Sequence, residues 1–290
     1  MQHIPVFHAQ ALEWLAIRPS GIYVDATFGA GGHTRGILSR LKGGRVIALD
    51  ADPSAARRAA QIDDSAFTFI HANFRELPDV LDRLGIESVD GVLFDLGVSS
   101  MQFDEASRGF SFRESGPLDM RMNPLAGRSA YDVLMSASET ELAEIFYDYG
   151  QERAARKIAR AIVYRRKAGS FPGTTLEFAR MISGLLHRSG RRERIHPATR
   201  VFQALRIAVN DELEALRDGL DSAVDRLRGA GRIVAISFHS LEDRIVKRKF
   251  LQDDRLDVLT RKPLVPDQDE IDSNPRASSA KMRAAERRAS

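Results

Sequence analysis

The sequence predicts an α/β protein in which a parallel sheet carries an inserted, mostly helical domain. Segments with strand and helix character alternate through the first 95 residues, the order that builds a parallel sheet with helices on its faces. Aspartates close three of those strands, Asp25, Asp50 and Asp95, at the ends where open α/β sheets bind ligands. The next strong strand pattern, Gly231–Phe238, follows Asp95 only after 135 intervening residues. One crossover helix needs far fewer, so a separate unit is inserted there.

Strands are expected at Ile22–Asp25, Arg45–Leu49, Phe67–His71 and Gly91–Phe94, with helices near Gly36–Leu41, Pro53–Gln61 and Phe74–Leu84 between them. Pro53 suits the first turn of its helix, where a missing N–H costs nothing. The insert opens on a loop-like stretch, Phe103–Gly127, and continues as helices at Ala137–Tyr149, Glu152–Lys167 and Thr175–His187. One long helix, Thr199–Leu227, returns to the sheet on an apolar stripe that includes Leu205, Leu216 and Val224. Asp253–Asn274 reads as loops, with Val258–Thr260 and Ala280–Met282 as edge strands. These limits divide the chain into 1–104 and 205–290 for the sheet domain and 105–204 for the insert.

Composition narrows the function classes. The 290 residues are 43% hydrophobic and 29% charged, values of a globular protein. No apolar run reaches the ~18–20 residues of a membrane span, and the N-terminus lacks the pattern of a secretory signal. A cytoplasmic protein without membrane partners is expected. The absence of cysteine removes disulfides, thiolate metal sites and cysteine nucleophiles. The histidines show no metal-ligand spacing, so no metal is expected. Residues 151–200 hold 13 Arg and Lys against 3 Asp and Glu, whereas residues 1–100 hold 9 against 12. A basic block beside an acidic half suggests a polyanionic partner or a solvated helix face.

The chemistry concentrates in four places. Asp25-Ala-Thr-Phe-Gly29-Ala-Gly31-Gly32-His33 joins a strand to a helix through a glycine turn that lets a ligand approach the backbone. Its spacing is not the dinucleotide G-x-G-x-x-G, because Thr34 stands at the third glycine position. Its form resembles the first motif of S-adenosylmethionine (SAM) methyltransferases. Asp50, ending the second strand, is placed to accept both hydroxyls of a ribose, and Phe74 to cover an adenine face. Asp95-Leu-Gly97-Val-Ser99-Ser100-Met-Gln102 stands where nucleic-acid amino-methyltransferases hold the target amine. An exocyclic amine has its lone pair delocalised into the ring, and holding its protons lets nitrogen pyramidalise and attack in line. Methylation at ring C5 of cytosine normally needs a cysteine nucleophile, so N- or O-methylation remains. Ser237-Phe-His239-Ser240-Leu-Glu242-Asp243 is not the G-x-S-x-G elbow of a hydrolase and reads as pocket lining.

Taken together, these motifs resemble the bacterial 16S rRNA cytosine-N4 methyltransferases. The resembling stretches include His3-Ile-Pro-Val6, Val24–His33, Asp90–Ser100, Arg108-Gly-Phe-Ser-Phe112, Gly116–Met122, His196-Pro-Ala-Thr-Arg200, Phe202–Ile207, Ile236–Arg248 and Asn274–Lys281, and they cover nearly the whole chain. The resemblance implies a Rossmann-like SAM-dependent methyltransferase sheet with a helical substrate-recognition insert. It implies SAM contacts at Asp25, Gly29, Gly31, Gly32, His33, Asp50, Phe74, Asp95 and Gln102. It implies N4-methylation of a cytidine in the decoding centre of 16S rRNA, with the assembled small subunit as the favoured partner. Asp95 is the expected catalytic residue, and Ser99, Ser100 and His239 are open as its assistant. Arg121, Arg153, Lys157, Arg160, His196, Arg200 and Arg206 are the candidate RNA contacts, with Arg156, Arg165 and Arg166 also on the basic stretch. The state is monomer or homodimer. Two departures stand out: His8-Ala-Gln10 replaces the usual acidic residue, and the segment from Lys249 to Thr260 is shorter than is usual.

Two further readings remain at this point. A small-molecule methyltransferase would share the cofactor half but would not need the basic insert. A SAM-sensing or ribosome-assembly protein would keep its partner RNA when Asp95 is removed.

Overall fold

A computed structural model describes residues 5–186 and 196–289. The chain begins with α1 (His8–Trp14), then alternates β1 (Ile22–Asp25), α2 (Gly32–Leu38), β2 (Arg45–Asp50), α3 (Ala55–Ala59), β3 (Phe67–His71), α4 (Leu77–Arg83) and β4 (Val89–Asp95). It continues through α5 (Ser100–Asp104), α6 (Ala130–Ser136), α7 (Glu139–Asp148), α8 (Ala155–Lys167), α9 (Thr175–Leu186) and α10 (Ala198–Asn210). It closes with α11 (Glu212–Arg226), β5 (Leu227–Ser237), α12 (Ser240–Gln252), β6 (Leu256–Val258), α13 (Gln268–Ser273) and β7 (Lys281–Arg287). Two units result, residues 1–97 with 213–290, and residues 98–212.

In the first unit a seven-stranded sheet runs β3-β2-β1-β4-β5-β7-β6. Strands β1 to β5 are parallel, and β7 pairs antiparallel with both β5 and β6. The order reverses direction between β1 and β4. That is the topological switch point, where the carboxyl ends of neighbouring strands part to leave a crevice. Strand β4 is buried along Val89–Phe94, the continuous apolar run expected of a strand covered on both faces. Val24, Leu49, Val92, Phe94 and Leu216 fill one core cluster, and Tyr23, Ile37, Leu93 and Ile236 belong to another. The second unit is helical about its own core, which includes Phe146, Ile158, Phe178, Val201 and Leu205.

Several elements differ from expectation. The long returning helix is two helices, α10 and α11, because Asp211 takes a left-handed conformation (φ 50°) and caps α10. Asp tolerates that region better than most residues. The division between units falls at 97/98 and 212/213 rather than at 104/105 and 204/205, since α10 packs into the insert's core. Helix α2 starts at Gly32, four residues early, and α3 starts at Ala55, which leaves Pro53 in the turn ahead of it. Helix α6 is additional; Ser129 and Asp132 form its capping box, a legible signal. The expected start of α9 holds, while His187 lies outside the described residues. Strand β5 begins at Leu227 because its register jumps from Val89↔Leu227 to Gly91↔Arg232, with Ala230 at φ 59°. Strand β7 is internal, not an edge; β6 is the edge strand.

Candidate functional site

Three carboxylates mark the carboxyl ends of β1, β2 and β4. Asp25 is fully buried, its Oδ2 accepting from Thr34 Oγ1 at 2.6 Å and its Oδ1 from the Thr27 amide at 3.2 Å. Asp50 accepts from the amides of Gly29 and Asp52, both at 2.8 Å. Burial pushes its pKa up to about 6, against the pull of those two amides. Asp95 is tied at its backbone, its amide donating to Thr27 Oγ1 at 2.7 Å. Thr27 therefore braces the end of β4 against the loop after β1, a role the sequence reading missed. Its place inside the Asp25–Gly29 motif was the available signal.

The glycine turn is held in a shape other residues resist. Gly31 has φ 78°, and a Cβ there would lie 2.7 Å from Phe28 Cζ. At Gly32 a Cβ would lie 2.3 Å from Pro5 Cγ, so the N-terminal segment passes directly over the turn. Arg58 secures the loop, its Nε donating to the Gly29 carbonyl at 2.8 Å. Phe74 is half-buried and meets Phe94 edge-to-face at 5.6 Å. Gly219 makes room for it, because a Cβ there would approach Phe74 Cδ2 to 2.7 Å.

His33 turns its ring inward. Its Nε2 lies 3.5 Å from Asp95 Oδ2, close for ionic attraction but long for a hydrogen bond. Neither ring nitrogen, nor Asp95 Oδ1, has a hydrogen-bond partner among the described residues. Burial lowers the His33 pKa, but the contact and charge of Asp95 with the charge of Asp25 outweigh it and raise the value. His239 caps α12, its Nδ1 accepting from the Glu242 amide at 3.3 Å. Glu242 is buried and accepts from the amides of Phe238 and His239, with Oε1 3.1 Å from His239 Nε2. His239 is thus fixed by its own turn.

In the second unit Ser99 and Gln102 form a capping box at the start of α5: Gln102 Oε1 accepts from the Ser99 amide at 2.9 Å. The hydroxyl of Ser99 is engaged as a cap, and Gln102 is buried. The side chain of Ser100 lies outside the described residues.

The candidate RNA contacts divide into two groups. Arg153, Arg156, Lys157, Arg160 and Arg165 of α8 and its approach are exposed, as are His196 and Arg200. Lys157 Nζ donates to the Leu185 carbonyl at 2.6 Å, and the His196 ring lies tilted against Phe112, centroids 4.7 Å apart. Three arginines are not available as surface cations. Arg121 makes a two-pronged pair with Asp119 at 2.9 and 2.8 Å. Arg206 does the same with Glu212 at 2.8 Å twice, with 12% and 9% of the side chains exposed. Arg166 holds the carbonyls of Leu134 and Ala137 at the end of α6. Opposite charges and orphan carbonyls nearby claim these guanidinium groups first. The cations of the shortened stretch after Lys249 are also paired, within the stretch and to α11. Lys249 meets Asp221 and Asp253, and Arg255 meets Asp253 and Asp225.

The half-buried carboxylate at the end of β2, the glycine turn after β1 and an Asp95 oxygen with no hydrogen-bond partner among the described residues fit a nucleoside cofactor with a group to deliver beside β4. The comparisons agree with that chemistry: the profile of the MraW methylase family matches residues 1–288. The chain belongs to this family. Its relatives include proteins named Ribosomal RNA small subunit methyltransferase H from several bacteria. That of Carboxydothermus hydrogenoformans is 48% identical, covering 98% of this chain and 97% of its own. Those of Azoarcus sp. and Synechococcus elongatus are each 49% identical, covering 99% and 98% of this chain and 97% and 94% of theirs. The expected family resemblance and the expectation of a methyltransferase enzyme are therefore borne out. Among the described residues no helix of this MraW-family methylase is long and apolar enough to cross a membrane.

Proposed function

We propose that this protein transfers a methyl group from SAM to the N4 amine of a cytidine in the decoding centre of 16S rRNA, acting in the cytoplasm on the small ribosomal subunit. The observation that carries the reading is Asp95. A buried carboxylate oxygen with no hydrogen-bond partner among the described residues, at the end of β4 and beside the switch point, is an acceptor short of donor hydrogens. An exocyclic amine brings two. The relatives' names supply the RNA, and the cysteine-free chain argues against a C5 route.

SAM supplies an electrophilic methyl on a sulfonium. In this reading Asp50 accepts the ribose hydroxyls, the turn at Gly29–Gly32 admits the cofactor against the backbone, and Phe74 flanks its base. Asp95 holds the amine protons, so that nitrogen's lone pair is directed at the methyl carbon before reaction. The base must be unstacked to reach Asp95. The exposed basic residues of α8 then meet phosphates, which give affinity rather than sequence choice.

The test is transfer of labelled methyl from SAM to small subunits from a strain lacking the enzyme, with nucleoside mass spectrometry of the digest. A single N4-methylcytidine product, absent with Asp95→Ala, is the expected result. Methyl on another base, or incorporation that survives Asp95→Ala, would replace this reading.

A further inference from the structure

His33 is a buried titratable group that cofactor binding alone does not account for. It is the second residue of α2, its side chain is 4% exposed, and both ring nitrogens lack hydrogen-bond partners among the described residues. A buried imidazole left this way calls for a reason. The groups that face it come from three elements. Strand β4 brings Asp95, with Oδ2 3.5 Å from Nε2. Strand β1 brings Asp25, whose oxygens are already occupied by Thr34 and Thr27. Helix α1 brings His8, stacked at 5.7 Å with its own Nε2 held 3.2 Å from the Gly32 carbonyl. The charges of His33 and Arg40, after burial, keep His8 below the ordinary imidazole value. Among the described residues, Asp95 and then Asp25 are the charges that draw a proton to His33.

We propose that His33 positions the Asp95 carboxylate and takes up, through it, the proton that the methylated amine must lose. The step rests on the methyl-transfer reading above. As the amine nitrogen bonds to the methyl carbon, the carbon–sulfur bond breaks and its electron pair stays on sulfur. The nitrogen, now cationic, gives one proton to Asp95. That proton passes to His33 Nε2, restoring the Asp95 carboxylate and leaving an imidazolium between two carboxylates. Neutral His33 is the competent form before each turnover. Asp95, not His33, touches the amine; His33 acts from behind it. The raised basicity of the ring serves an acceptor in this place.

Two measurements on the full-length protein test this. The first follows the His33 ring by NMR across pH without cofactor. It should titrate above the ordinary imidazole range, and at lower pH in Asp95→Asn. Titration at the same pH in both proteins overturns the proposal. The second is single-turnover methyl transfer to small subunits across pH, with SAM saturating at every pH so that the Asp50 titration does not enter. The wild-type rate should rise with pH through the His33 titration. His33→Gln should abolish that acidic limb and slow the plateau by about a hundredfold or more, a larger loss than any weakening of SAM binding. An unchanged acidic limb, or a rate loss matched by lost SAM binding, makes the role structural and overturns the proposal. A wild type that transfers no methyl at any pH removes the methyl-transfer reading itself, whatever the NMR titration shows, and the relay with it.

Discussion

Asp50 Oδ2 accepts a 2.8 Å hydrogen bond from the Gly29 amide, which joins the end of β2 to the glycine turn after β1. The carboxylate is thereby oriented before any ligand arrives, yet each oxygen keeps a lone pair for a further donor. Holding it ionised in a buried place is unfavourable, and its pKa of about 6 reflects that. A ligand that donates hydroxyl hydrogens to it relieves the cost, which couples cofactor affinity to pH.

The first prediction follows from that coupling. SAM affinity, measured by calorimetry, should fall as pH drops through about 6, because protonated Asp50 is the poorer acceptor. Asp50→Ala should weaken binding at pH 7.5 by about ten- to a hundredfold, the loss of one or two charge-assisted hydrogen bonds, and flatten the pH dependence. The cofactor-free protein shows the opposite sign. The native state binds this proton more tightly than the unfolded chain does, so the Asp50 contribution lowers stability as pH rises from about 4 to about 6.

Gly32→Ala is expected to disturb the turn sterically. Its Cβ would sit 2.3 Å from Pro5 Cγ, and a proline ring has little freedom to yield. Urea unfolding should show a loss of about 1–3 kcal/mol, and SAM binding should weaken with it. Unaltered stability would mean that the segment at Pro5 lifts away freely.

Much of this arrangement was legible in the sequence. Strands β1 and β3 have the expected bounds, β2 is one residue longer and β4 three, because short apolar runs, three of them closed by Asp, are local signals. What could not be read depends on partners far along the chain. The contact of His33 with Asp95 joins residues 62 positions apart. Arg121, Arg166 and Arg206 look the same in sequence as Arg156, yet only folding shows which cations already have partners. The break at Asp211 was hidden because the apolar stripe continues through it. Ser99 looked like a candidate assistant, but with Gln102 it matches the polar spacing of a helix cap.

The ion pairs around Asp253 predict acid sensitivity at the start of β6. Hydrogen bonds from the Arg255 guanidinium, with Lys249 beside it, hold the Asp253 carboxyl well below the usual carboxylate range. A depressed native pKa stabilises above the unfolded value near pH 4 and loses that contribution as pH falls. Asp253→Asn should cost about 1.5–3 kcal/mol at pH 7, the loss of charge-assisted hydrogen bonds, with the gap to wild type closing toward pH 2 in chemical denaturation.

Arg156 and Arg206 should separate RNA affinity from stability. Arg156 is exposed on α8, so Arg156→Ala should leave unfolding nearly unchanged. If it meets a phosphate, it should lower the slope of log affinity against log salt by about 0.7–0.9, the release of one counterion. Arg206 is nearly buried and doubly bonded to Glu212, so Arg206→Ala leaves a carboxylate without its partner. The expected cost is about 3–5 kcal/mol of stability, with the salt slope of the remaining folded protein intact. Small subunits titrated at several salt concentrations, alongside urea unfolding, give both quantities. A reduced slope in Arg206→Ala would mean that the pair with Glu212 opens to RNA, and an unchanged slope in Arg156→Ala would remove α8 at that position from the phosphate path.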